Sequence, residues 1–184
     1  MNSTYIPIPD ARIRELEQLA ARANARIHIV RRVRVNQGCD WQEAINLAGP
    51  NTPSDWPVRK TEVSDQYQPI SNKNIKTDIV LFNYSNAVGN WDKVTTWGKE
   101  SKLNVANPRE VFAIADQKPD LDKILGQNPI GVITLNECSF ESNRNTCFVL
   151  WQGSNRTVRL FWVYFPLDSE LWFAFREPSP EPVQ

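Results

Sequence analysis

One histidine, three cysteines and a scatter of carboxylates are what this chain offers for acid–base or covalent chemistry. Any serine–histidine or cysteine–histidine site would have to use His28, the single imidazole. His28 stands among arginines, whose charge lowers an imidazole pKa, and an ordinary structural or exposed histidine fits that setting better than a catalytic base. Cys39, Cys138 and Cys147 together with His28 add up to a Cys₃His zinc set, yet the chain lacks the C-x₂-C pair that structural zinc sites use. Asp116-Gln117-Lys118 and Asp120-Leu121-Asp122-Lys123 carry acid-x-Lys spacings of the kind found in metal-dependent nucleases. They flank Pro119 at two predicted helix ends, where helix capping accounts for them. Glu137 and Glu141 offer a carboxylate pair, but a hairpin tip there would solvate both. No P-loop, G-x-G-x-x-G or G-x-S-x-G is present. No catalytic residue, cofactor or metal is assigned on these grounds.

Two other groups of residues suit binding. Arg12, Arg14, Arg22, Arg26, Arg31, Arg32 and Arg34 face few acids locally, namely Asp10, Glu15 and Glu17. A solvated face explains part of this. The cluster Arg31, Arg32 and Arg34 is the expected contact strip for carboxylates or phosphates, since guanidinium forks match both. The second group is aromatic: Trp151, Trp162, Trp172, Tyr164, Phe173 and Phe175 crowd the C-terminal third. Most must be core. Trp162, Tyr164 and Trp172, with Trp56 from an earlier loop, are the expected interface anchors. Base stacking on such a sheet has weak support, because Glu137, Glu141, Asp168, Glu170 and Glu177 offset the nearby Arg144, Arg156, Arg159 and Arg176.

The elements that must position these residues follow from periodicity. Four apolar and aromatic runs, 131–140, 146–151, 156–165 and 171–175, read as a C-terminal antiparallel meander with Pro166 closing the third. In the third run both faces are apolar towards its end, which predicts a cover on the second face. If Ser142-Asn143 makes the first hairpin turn, Cys138 lies opposite Cys147. Upstream, Asp10 is expected to cap a helix with Ile13, Leu16, Leu19, Ala20 and Ala23 inward, running to about Ala25, before a strand over 26–35. Asp40 and Glu43 have the look of a capping box for a second helix, which Gly49-Pro50 stops. Residues 51–74 read as a long loop pinned by Trp56, Val58, Val63, Tyr67 and Ile70. A strand over 76–83 follows, then a helix led in by Gly89-Asn90 and running from Trp91 to about Glu100. Asn107-Pro108-Arg109-Glu110 starts another helix, and Asp120 caps a short one closed by Gly126.

The fold class expected is α+β: a mostly antiparallel C-terminal sheet of about four strands, joined by one or two N-terminal strands and flanked by four or five short helices. Residues 1–177 are expected to form one domain, with 178–184 as a disordered tail. A chain of 184 residues can bury a full core without disulfides or metals. Its 21 basic and 21 acidic residues give no global charge to draw it to nucleic acid or an anionic membrane. No apolar run approaches a membrane span, the N-terminus lacks the marks of a signal peptide, and an odd cysteine count fits a reducing compartment. The function expected is a non-catalytic cytoplasmic protein that binds another protein, of inhibitor, immunity or adaptor type. The alternatives are an atypical acidic-site hydrolase or nuclease, and a nucleic-acid binder using the arginine strip.

Overall fold

A computed structural model describes residues 5–69, 71–84, 91–164 and 168–178. The tail beyond Pro178, the stop at Pro166, the Gly89-Asn90 lead-in and the pin at Ile70 lie outside the described residues. The helices are α1 (Asp10–Arg22), α2 (Trp41–Ala48), α3 (Thr61–Ser64), α4 (Trp91–Glu100), α5 (Pro108–Gln117) and α6 (Leu121–Leu125). The strands are β1 (Ala25–Asn36), β2 (Asn74–Tyr84), β3 (Asn104–Val105), β4 (Ile130–Phe140), β5 (Asn143–Gln152), β6 (Asn155–Trp162) and β7 (Leu171–Arg176). The protein is α+β, with one mostly antiparallel sheet ordered β1-β2-β7-β4-β5-β6 and β3 pairing the end of β7 past the residues that β4 pairs.

The C-terminal runs divide. β4, β5 and β6 form the meander, but β7 lies on the other side of β4 and runs parallel to it, between β4 and β2. Its sequence suits that place: Leu171 to Phe175 is apolar without alternation, and all five residues are buried, as a central strand covered on both faces requires. On one face α2, α5 and α6 pack against Ile79, Leu81, Trp172, Ala174, Val132 and Val149. On the other, Leu16 and Ala20 of α1 and Val94 and Trp97 of α4 pack against Val80, Phe82, Phe173 and Phe175. Gly98 lets α4 approach β7 closely, since a Cβ there would sit 2.4 Å from the Phe175 ring. The second face of β6 is partly covered, with Phe161 half-buried and edge-on to Phe148 at 5.8 Å.

Local signals set most helix ends. Asn107 and Glu110 form the full reciprocal capping box at α5. The Asp40 carboxylate accepts from the Gln42 and Glu43 amides at the start of α2. Gly126 closes α6 in the left-handed region at φ 64. Three details differ from expectation. Pro9 is the N-cap of α1, with Asp10 already inside the first turn and the helix ending at Arg22. Asp120 makes no side-chain cap bond. The long loop also contains α3 and two 3₁₀ turns, at Pro57–Arg59 and Asp65–Tyr67.

Both sheet edges are covered in part by local hydrogen bonds. At β6 the Thr52 hydroxyl accepts from the Val158 amide, and Asn51 exchanges two bonds with the Arg156 backbone. At β1 the Gln117 amide bonds both the N–H (3.0 Å) and the C=O (2.8 Å) of Arg34. Such caps keep an edge from pairing with another strand.

Candidate functional site

The predicted arginine strip is built around a β-bulge. Val30 pairs with Ile79 and Val33 with Thr77, so Arg31 and Arg32 together face Asp78, and Arg32 adopts φ 55. Asp78 is 3% exposed and holds this irregular backbone. Its carboxylate accepts from the Tyr5 hydroxyl (2.6 Å), the Arg31 guanidinium (2.8 Å), the Arg32 amide (2.9 Å) and the Ile8 amide (3.0 Å). Burial pushes the Asp78 carboxyl up, but those four bonds outweigh it and hold it below its ordinary value. The Tyr5 hydroxyl moves up, through burial first and then its bond to Asp78. Arg31 also donates to the Ile8 carbonyl at 2.8 Å, so it is tied down. Arg32 reaches over the Tyr5 ring, 5.7 Å from its centroid.

Beside the bulge lies an open groove of about 600 Å³, lined by Arg31, Arg32, Arg34, Lys76, Lys118, Gln117 and Asp116. Five cations thus line it with one carboxylate. Arg34 and Lys76 are direct cross-strand partners. Like charges placed so are destabilising, and among the described residues neither side chain forms an ion pair. Gln117 and Lys118 were expected only as part of an acid-x-Lys spacing at a helix end, and Lys76 was not expected in a binding surface at all. Lys76 is brought opposite Arg34 by the β1–β2 register, and Lys118 and Gln117 by the docking of α5 on the edge of β1. None of these positions is encoded locally.

The predicted aromatic anchors do not join this groove. Trp162 (40% exposed) and Tyr164 (62%) contact each other with ring centroids 5.7 Å apart. Arg144 lies 5.8 Å over Tyr164 and grips Glu137 through two bonds of 2.7 and 2.8 Å. This patch sits at the opposite edge of the sheet, five strand spacings from β1, or roughly 24 Å. Trp56 is half-buried against the core, with Arg159 4.9 Å from its ring centroid. Trp172, expected as a contact residue, is instead buried in the core. It is 2% exposed, donates to Gln127 at 3.3 Å and lies under Arg26.

The candidate catalytic residues do not converge on one site, although Cys138 and Cys147 both lie beside the Tyr67 hydroxyl. His28 is half-buried on β1, and its pKa is lowered by burial and then by Lys118. The β4–β5 turn is Glu141-Ser142, both at positive φ, so Cys138 faces Asn145 and not Cys147. All three cysteines are buried free thiols, and burial raises the pKa of each. Among the described residues no three His, Cys, Asp or Glu side chains cluster as metal ligands. No described helix is long and apolar enough to cross a membrane. The chain matches no family model, and no curated protein or solved structure is significantly similar to it.

Proposed function

We propose that this protein is a non-catalytic binding domain that docks an acidic surface of another protein against the basic groove between β1 and α5. The observation that carries this reading is the Arg34–Lys76 pair, two directly opposed cations without an ion-pair partner among the described residues, inside a groove lined by three further cations. A carboxylate-bearing partner would relieve that repulsion and give the groove its specificity. Trp162 and Tyr164 offer a second contact surface, separate from the first. The three free thiols fit a reducing compartment, and a cytoplasmic location belongs to the same reading. An inhibitor, immunity or adaptor role would use such a surface. The second reading, a nucleic-acid binder, draws on the same cations, since phosphates would relieve the repulsion equally well.

The test is affinity capture from a native lysate with wild type beside Arg32→Glu/Arg34→Glu, half of each sample treated with nuclease. Arg31 is left intact because it ties the Asp78 knot. A stoichiometric, nuclease-resistant protein held by wild type and lost in a normally folded variant is the expected result. The partner's affinity should fall at least tenfold in the variant and decline with added salt. Nucleic acid recovered with wild type alone would replace this reading by the second one. A partner held equally by both proteins would move the contact away from the groove.

A further inference from the structure

The basic groove continues into an apolar hollow. At its α5 end it shares Arg34 and Asp116 with a smaller cavity of about 80 Å³ between α2 and α5. Ala44 and Leu47 of α2 and Phe112 and Ala113 of α5 wall this hollow. Two of its wall positions, 44 and 113, carry the short side chain of alanine. Leu47 stands at its rim, 48% exposed, a large apolar side chain held in water beside an apolar recess. The hollow is rigidly framed. α2 is capped by Asp40 and α5 by its Asn107–Glu110 box. The buried Arg109 guanidinium at its base is pinned to the carbonyls of Cys39 (3.2 Å) and Tyr67 (2.6 Å). A preformed recess of this kind spares a ligand the cost of ordering it.

We infer that the hollow receives one aliphatic side chain of an acidic segment of the partner protein, whose flanking carboxylates lie along Arg32, Arg34, Lys76 and Lys118. Charge complementarity selects the occupant, because the segment that reaches the hollow must cross a groove lined by five cations and one acid. The hollow is small, about 80 Å³, and its Ala44, Leu47, Phe112 and Ala113 walls suit an aliphatic side chain such as Leu, Ile or Val. The inference rests on the reading proposed above and adds to it the shape of the recognised segment, an apolar residue flanked by Asp and Glu.

The test is fluorescence anisotropy on the full chain with two short labelled peptides of Asp and Glu, one with a central Leu and one with Ser in its place. Wild type should bind the Leu peptide about tenfold more tightly, the effect of burying a few methylenes. Ala113→Leu fills the hollow and should erase that advantage. Leu47→Asp, a rim change outside the core, should reduce the advantage even if Ala113→Leu disturbs the fold. Equal, salt-sensitive binding of both peptides by wild type would overturn this inference and leave the proposed function standing. An unaltered Leu advantage in both variants would overturn it by placing the anchor elsewhere. Binding of neither peptide, or tighter binding of a short oligothymidylate, would overturn the reading beneath it as well.

Discussion

Replacing Trp172 by Ala is expected to remove about 3–5 kcal/mol of folding stability, the range for deleting a large buried aromatic. Trp172 is the second residue of β7, which lies between β2 and β4, and its indole is buried in the core cluster that holds Leu81, Ala174, Val132 and residues of α5 and α6. Its loss leaves a cavity that the flanking strands cannot collapse, because each is hydrogen-bonded on both sides. It also removes the indole N–H that bonds Gln127 and the ring beneath the Arg26 guanidinium. For a chain of this length the melting temperature should fall by roughly 10 °C. Trp162→Ala, at the exposed end of β6, should cost about 1 kcal/mol or less. Thermal and urea unfolding followed by circular dichroism separates the two. A Trp172→Ala protein that melts within about 1 °C of wild type would contradict the packing described for β7.

Asp78→Asn is expected to destabilise the protein by about 2–3 kcal/mol at pH 7, with the deficit shrinking in acid. An amide in place of the carboxylate turns one acceptor into a donor. Two of the four groups around it, the Tyr5 hydroxyl, the Ile8 and Arg32 amides and the Arg31 guanidinium, then lose their acceptor. Arg31 contributes less than the other three, because its side chain is 39% exposed and solvent screens its charge. The pH dependence follows from the direction of the shift. The folded-state carboxyl sits below its ordinary value, so its stabilisation is present above the unfolded value of about 4 and is lost as the pH falls through the folded one. Urea unfolding of both proteins from pH 7 down to about pH 3 should show curves that converge. A difference that stays constant across that range would exclude the ionised carboxylate as the source of stability. Because Asp78 also fixes the bulge, the variant should bind the acidic peptides more weakly near neutral pH.

That bulge explains a conflict within the sequence. Ile27, Ile29, Val33 and Val35 share one parity and read as one face of a strand, with Val30 out of phase. In the structure Ile27 and Ile29 pack on the α1 side, while Val30, Val33 and Val35 pack on the α5 side. The extra residue at Arg31-Arg32 shifts the alternation by one and carries the later valines to the opposite face. Only the partner strand, with Asp78 at the point of the shift, makes the bulge visible. The hairpin register misled for a related reason. Moving the turn from Ser142-Asn143 to Glu141-Ser142 places Asn145, not Cys147, opposite Cys138, and residues of similar turn propensity cannot discriminate the two.

The sequence alone determined whatever depends on neighbours within a few residues. The caps at Asp40 and Asn107, the left-handed Gly126, the span of α4, the extents of β1 and β2 and the α+β class all rest on short-range hydrogen bonding and periodic burial, which are written locally. Tertiary structure alone decided the place of β7 beside β4, the burial of Trp172, and the meeting of Arg34, Lys76 and Lys118 in one groove. An apolar run records that a strand is covered, but not which strand lies beside it. A cationic residue records its own charge, but not the charges that chain folding sets against it. Those depend on pairings between segments tens of residues apart, selected by the packing of the whole core.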